Sequence, residues 1–531
     1  MKRLMLPTIL YLAALVASSA HATSSDSAGL DYRTLQRTTW VLYPPSAPGV
    51  VAYSLIEFKQ GENGNQGVMY SNILSGPQTP IRNIIIDGAE ISFETVSSSY
   101  PDNATQWRGH FLNRNEMKIT AIWNDGYPTD TEWVARLSDR REVESIMRMV
   151  PKSLITRKLP LPSTTVNVPS NGLASTPIMG WNSWNAFAER IDEKTIRQIA
   201  DALVSTGLRD AGYIYVNIDA GWQGYRDKRG ILHPNEKFPK METLSAYLHS
   251  RGLKLGIYSS PGYVSCGGYV GSHGYETQDA ETFASWQVDL LKYDWCSADD
   301  LYKTKEEMRA VYAKMGIALR ATRRPVVYSL CQYGLFDVGK WAREVGGNLW
   351  RISSDSIVGN RWNSVSDRFD NNGDPTDSGP GGWNDPDILL IGNGGLTLDE
   401  SRTHMTLWAM LGAPLLLGAD IRNIAPELLS LLSNRDVIAV DQDSLGYQGR
   451  RIVQSSEVEV WLKRLSDDSR AVAIFNRGGT PQDIGLFWEA LGLARPSQVR
   501  DLWSQTAIEA GPGGYHARVP AHGSIMLRLF P

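Results

Sequence analysis

The sequence predicts a multidomain α/β protein in which a central (β/α)8 TIM barrel is flanked by an N-terminal β domain and a C-terminal antiparallel β domain. Three observations lead there. Strand-like apolar runs, eight in number, recur between Ile178 and Leu417, each followed by a helix-length segment. On both sides of this region the chain holds only short apolar or alternating segments broken by turns. The 531 residues also exceed what one ordinary domain uses, since a domain takes roughly 100–200.

At the N-terminus Lys2 and Arg3 precede an apolar run from Leu4 to Val16, and small residues follow up to Ala20-His21-Ala22. That order is the one of a secretory signal peptide, 1–22, cleaved after Ala22. The run is too short to cross a bilayer. An exported protein, periplasmic or extracellular and without a membrane span, is therefore expected. Composition agrees with a folded, soluble chain: 42% of residues are hydrophobic and the formal net charge is −4. Such a balance excludes nucleic acid and anionic membranes as main partners, because both select a basic surface. The 17 Trp and 22 Tyr exclude a mainly disordered chain, and aromatic rings with a polar handle suit sugar faces as well as cores. Three cysteines in an oxidising compartment allow at most one internal disulfide and leave one thiol.

Within 27–158 the runs Trp40–Tyr43, Val51–Phe58, Asn83–Ile86 and Met117–Trp123 are separated by Gly61-Glu62-Asn63-Gly64 and Pro101-Asp102-Asn103, a β pattern without a catalytic motif. The Pro/Ser/Thr/Asn-rich stretch 159–175 reads as a linker. Across 176–438 the strand candidates are Ile178–Trp181, Tyr213–Ile218, Leu253–Tyr258, Val288–Tyr293, Val326–Leu330, Leu349–Ile352, Ile388–Ile391 and Pro414–Leu417. Helical spacing lies between them, as in Ile196, Ile199, Ala200 and Leu203. A doubly wound sheet is the alternative topology. From 439 to 531 short strands return, at Val458–Leu462, Ala471–Phe475 and Ser524–Leu529.

A barrel places its chemistry at the C-terminal ends of its strands. Three strand candidates end there in a carboxylate: Asp219 after the second, Asp294 after the fourth and Asp355 after the sixth. Two carboxylates on one rim suit glycoside cleavage, one ionised at the anomeric carbon and one protonated at the leaving oxygen. Lys292, two residues before Asp294, shares its side of the strand and is expected to hold it ionised, leaving Asp355 as the acid. Taken singly, such aspartates also serve as turn formers or helix caps, and Arg351 beside Asp355 also suits a structural ion pair. Asp370-Asn371-Asn372-Gly373-Asp374 lacks the glycine and the glutamate of a calcium loop. Zinc spacing, a phosphate loop and a nucleophile elbow are absent from the sequence.

From about Thr176 to Gln448 the chain resembles glycoside hydrolase family 27, the α-galactosidase and α-N-acetylgalactosaminidase group. The segments that carry the resemblance are Met179-Gly180-Trp181-Asn182-Ser183-Trp184, Asn217-Ile218-Asp219, Leu253-Lys254-Leu255-Gly256-Ile257-Tyr258, Leu291-Lys292-Tyr293-Asp294, Tyr328-Ser329-Leu330-Cys331, Trp350-Arg351 with Asp355, and Gly381-Gly382-Trp383-Asn384-Asp385-Pro386-Asp387. The resemblance implies a retaining exo-glycosidase acting on terminal α-D-galactosyl residues of oligosaccharides or polysaccharides, with no metal or organic cofactor. Asp294 would be the nucleophile and Asp355 the acid/base, their carboxyls roughly 5–5.5 Å apart. Trp184, Asp219, Tyr258, Cys266, Lys292, Arg351 and Asp387 would line the sugar pocket, and Cys296 and Cys331 would form a family disulfide. This chain departs from the family at three positions. Ala220 and Gly221 replace the second aspartate, expected to hold the sugar's 4-hydroxyl, and the cysteine expected to pair with Cys266. Gln332 replaces a glutamate near the 2- and 3-hydroxyls. The resemblance therefore leaves a β-L-arabinopyranoside or an α-glucoside as alternative substrates, and a non-catalytic glycan-binding protein as a third reading.

Overall fold

The structure, a computed structural model, describes residues 35, 38–43, 54–61, 64–70, 78–96, 104–122, 128–138, 158–163, 166–299, 301–356, 361–455, 457–492 and 496–531. The expected signal peptide lies outside the described residues. Between Thr39 and Ser138 eight antiparallel strands each pair with the next in sequence, and the last returns to the first through Thr39–Ser138 to close a barrel. Its interior follows the two-residue period of the strands, with Trp40 and Leu42 meeting Ile56, Phe58, Phe93 and Phe111.

The parallel sheet holds eight strands, Met179–Asn182, Tyr215–Ile218, Lys254–Ser259, Leu290–Asp294, Val327–Cys331, Leu349–Arg351, Trp383–Asp385 and Leu415–Leu417. They are numbered one to eight below. Strands one to seven neighbour one another in sequence order, strand eight pairs with strand one, and a bridge from Leu389 to Leu417 joins the segment after strand seven to strand eight. This is consistent with a TIM barrel. The helix Glu193–Ser205 is capped by Asp192 and buries Ile196, Ile199, Ala200 and Leu203, the face its sequence spacing marks. Inside the sheet, Gly256 of strand three faces Asn217 of strand two, and a Cβ there would lie 1.7 Å from Asn217 Oδ1.

One strand is not where its apolar pattern puts it. Strand seven is Trp383–Asp385 rather than Ile388–Ile391. The polar Asn384 is accepted in the ladder because its Oδ1 receives Trp350 Nε1 at 2.8 Å. Leu389, Leu390 and Ile391 are buried in the crossing toward strand eight, so their run marks burial and not pairing.

The stretch expected to link the domains is packed. Leu173 and Ala174 lie against Ile178, Tyr215, Leu290, Val327 and Leu349 at the strands' N-terminal ends. Asn171 donates to Val326 O at 2.9 Å and to Asn348 Oδ1 at 2.8 Å. Beyond the barrel, a six-stranded antiparallel sheet faces a two-stranded one, Gln482–Phe487 with Gly514–Val519. The strand Arg470–Asn476 is buried on both sides: Val472 and Ile474 enter the core between the two sheets, while Ala471, Ala473 and Phe475 join the barrel's core. Between the parallel sheet and the six-stranded sheet lies the helix Leu398–Leu411, with Thr397 and Glu400 in a capping box and most of its residues buried.

Candidate active site

Three carboxylates do stand at the C-terminal ends of strands two, four and six, and the backbone ladders fix their heights on the rim. Asp219 follows strand two and is bolted in place: its Oδ2 accepts from Asn182 Nδ2 at 3.0 Å and Lys292 Nζ at 2.9 Å, its Oδ1 from the Ala220 N–H at 2.9 Å, and its own N–H donates to Ser183 Oγ at 2.9 Å. Lys292, rising from strand four, is thus paired with Asp219 and not with Asp294.

Asp294 ends strand four and is 5% exposed. Tyr333 Oη donates to its Oδ1 at 2.7 Å and Tyr258 Oη, from strand three, to its Oδ2 at 2.9 Å. Burial raises its pKa, the nearby Lys292 charge opposes that, and Asp355 adds to it. Asp355 stands on the open rim with its side chain 67% exposed, and its Oδ1 accepts from Arg351 Nη1 at 2.8 Å. Desolvation pulls its pKa up, but the attraction of Arg351 and Lys292 outweighs that, and the pKa is lowered. These surroundings drive the two groups apart in the sense opposite to the sequence expectation, because Arg351 sits against Asp355 and the deepest burial is at Asp294.

Arg351, the last residue of strand six and 3% exposed, bridges two acids, since its Nη2 also lies 3.2 Å from Asp387 Oδ2. Asp387 holds a left-handed backbone, φ 100°, which is rare outside glycine. Three bonds fix it there: its N–H donates to Asp385 Oδ1 at 2.9 Å, its Oδ2 accepts from the Ser356 N–H at 2.6 Å, and its carbonyl accepts from Trp408 Nε1 at 3.1 Å. Strain of this kind concentrates at functional sites. Asp385 supplies the loop cap, and burial pushes its pKa up to about 6; Asp387 is left to face Arg351.

Other expected pocket residues divide. Trp184 opens the short helix after strand one and is 36% exposed on the rim. Gln332 is fully buried, its Nε2 donating to Arg351 O at 3.4 Å, and its Oε1 has no hydrogen-bond partner among the described residues. Ala220 is 1% exposed and packs with Tyr258 and Tyr269, an apolar patch that offers no side-chain acceptor from position 220. The disulfide is corrected: Cys266 pairs with Cys296, and Cys331 is a buried thiol. Cys331 lies opposite Asp294 in the ladder, its sulfur 3.6 Å from Arg351 Nη1. Cys296 lies past the strand's end, where its carbonyl meets Gly262 so closely that a Cβ there would be 2.1 Å away. That contact draws the loop after strand three, and Cys266 with it, toward Cys296.

Two site residues escaped the sequence reading. Asn182 ends strand one and Tyr333 lies two residues past strand five; applying the strand-end rule to amides and phenols as well as carboxylates would have found both.

Known proteins resemble this chain in sequence and fold. The profile described as α-galactosidase A matches residues 176–443, and the one described as the α-galactosidase C-terminal β sandwich domain matches 455–529. The chain belongs to the melibiase family, glycoside hydrolase family 27. α-Galactosidase 3 of Arabidopsis thaliana is 47% identical over 372 residues, 68% of this chain and 83% of that protein. Among solved structures, a Bacteroides fragilis protein provisionally described as an α-galactosidase/melibiase covers 94% of this chain and 99% of its own, with 30% identity and a TM-score of 0.65. Such coverage takes in most of the N-terminal strands as well. A family 27 β-L-arabinopyranosidase from Geobacillus stearothermophilus covers 67% of this chain and 97% of its own, at 25% identity and a TM-score of 0.61.

Proposed function

We propose that the protein is a retaining exo-glycosidase that hydrolyses terminal α-D-galactosyl residues of oligosaccharides or polysaccharides. The observation that supports this reading best is the pairing of a buried, doubly hydrogen-bonded Asp294 with a rim-exposed Asp355 on one barrel face. The names of the α-galactosidase relatives favour the sugar. In the first step Asp294 bonds to the anomeric carbon, the glycosidic C–O bond breaks, and Asp355 gives its proton to the departing oxygen. In the second, Asp355 takes a proton from water, whose oxygen attacks the anomeric carbon and releases Asp294. Asp219, Lys292, Arg351 and Asp387 offer fixed donors and acceptors to the sugar hydroxyls, with Trp184 and Tyr258 as ring surfaces. Asp294→Ala should remove nearly all turnover of an activated aryl α-galactoside; wild-type rates in that variant would overturn the assignment.

Ala220 favours a second reading, the same chemistry on a β-L-arabinopyranoside or an α-glucoside. Its methyl group accepts no hydrogen bond from a 4-hydroxyl, and an arabinopyranosidase stands among the structural relatives. A panel of aryl glycosides separates the readings: turnover of the arabinopyranoside or glucoside without cleavage of the α-galactoside would replace the first. To the same proposal belong a complete (β/α)8 barrel over 176–438, β domains at 27–158 and 439–531, and export directed by the N-terminal segment.

A further inference from the structure

The two phenols that hold Asp294 share a second neighbour. Tyr258 Oη lies 3.4 Å from Cys296 Sγ and Tyr333 Oη lies 3.6 Å from Cys266 Sγ, so each hydroxyl bonded to one carboxylate oxygen touches one sulfur of the same disulfide. A disulfide sulfur has no proton to give, and a phenol has one. Each hydroxyl proton is therefore directed at Asp294, with the sulfur closing the opposite side. Tyr333 is kept there against its backbone preference, at φ 63°. The turn that follows is tight enough that a Cβ on Gly334 would lie 2.3 Å from Ile352 O, three residues before Asp355. On the ring's other side the Arg351 guanidinium sits 5.9 Å from its centre.

We propose that Tyr333, braced by the Cys266–Cys296 disulfide, is a positioning residue that, with Tyr258, fixes the rotamer and ionisation of Asp294 and so makes turnover depend on an intact disulfide. This rests on the reading of Asp294 as the nucleophile. The contacts of Tyr333 run to Asp294, Cys266 and Arg351, so its loss is expected to act first on the reacting carboxylate. The hydrogen bond from Tyr333 favours the ionised form of Asp294, and removing it moves the carboxyl's titration upward.

The test is Tyr333→Phe in the full chain, assayed on an aryl α-galactoside across pH. The expected result is a kcat lower by about 10-fold or more, as for one charge-assisted hydrogen bond, with KM little changed and the basic limb of kcat/KM, set by the higher-titrating Asp294, displaced to higher pH. A raised KM with kcat and the basic limb unmoved would make Tyr333 a sugar contact and overturn the proposal, as would an unchanged enzyme. Removal of the disulfide by Cys266→Ala with Cys296→Ala should displace the same limb in the native background and much less in Tyr333→Phe. Equal displacement in both overturns the bracing. Should the double variant not fold, reduction of the native protein, followed by mass after thiol alkylation, gives the same comparison. Asp294→Ala separates the two levels: wild-type rates there defeat the functional reading, whereas loss of rate there with an unmoved limb in Tyr333→Phe defeats only this inference.

Discussion

Lys292→Met tests whether the site's electrostatics are built around the Lys292–Asp219 pair. Lys292 Nζ and Asp219 Oδ2 are 2.9 Å apart, with side chains 20% and 4% exposed. At an effective dielectric of about 20 their attraction is on the order of 6 kcal/mol. Much of that offsets the cost of taking both charges out of water, but deleting one partner leaves the other charge buried, at about 3–5 kcal/mol. Asn182 Nδ2 and the Ala220 N–H still donate to Asp219, so the lower end of that range applies. At roughly 2 °C per kcal/mol for a large domain, the melting temperature at neutral pH should fall by about 6 °C or somewhat more. Kinetics supply a second reading. Lys292 is the largest influence opposing the burial-driven rise in the pKa of Asp294. Its removal should displace the basic limb of kcat/KM on an aryl α-galactoside to higher pH and lower the maximum, because Asp294 titrates above Asp355 and its ionised form beside a protonated Asp355 then becomes rarer. A melting temperature within about 1 °C of wild type together with an unmoved basic limb would refute this account.

Two further predictions follow from the same geometry. The productive free enzyme needs Asp294 ionised and Asp355 protonated, yet Asp294 titrates above and Asp355 below the usual aspartate range. Activity should thus trace a bell of reduced height whose acid limb follows Asp355 and whose basic limb follows Asp294, the two apparent values belonging to the pair. Arg351→Met removes the main attraction that lowers Asp355, so the acid limb should move to higher pH; an acid limb that stays in place would show that Asp355 does not set it. Ala220→Asp restores an acceptor beside Asp219 and should make the enzyme prefer an aryl α-galactoside over its 4-deoxy analogue by about 10-fold more than wild type, the worth of one hydrogen bond to a charged group. An unchanged ratio of kcat/KM values would separate position 220 from the 4-hydroxyl. Melting curves must accompany that variant, since the new carboxylate enters a patch shared with Tyr258 and Tyr269.

What the sequence discloses and what it hides divide along one line: order along the chain against distance across it. Asp219, Asp294 and Asp355 were legible because each closes an apolar run, and a parallel barrel puts every such end on one face. The strand Arg470–Asn476 was legible for the same reason, its near-continuous apolar run reporting burial on both sides. Ile388–Ile391 misled because burial and pairing leave the same apolar trace, and only the Trp350–Asn384 bond shows that a polar segment took the ladder. Lys292 lies two residues from Asp294, but its partner stands two strands away, where Asp219 is anchored by Asn182 and Ser183. The cysteines follow the same rule. Cys331 and Asp294 are register partners, which places the thiol inside the barrel beside Arg351 and out of reach of a sulfur beyond the strand's end. A sequence count of three cysteines cannot choose among pairings; ladder register can. The pattern therefore locates candidate reacting groups from strand ends alone, whereas their ionisation is set by contacts that it does not rank, Lys292 and Tyr333 about Asp294, and Arg351 and Lys292 about Asp355.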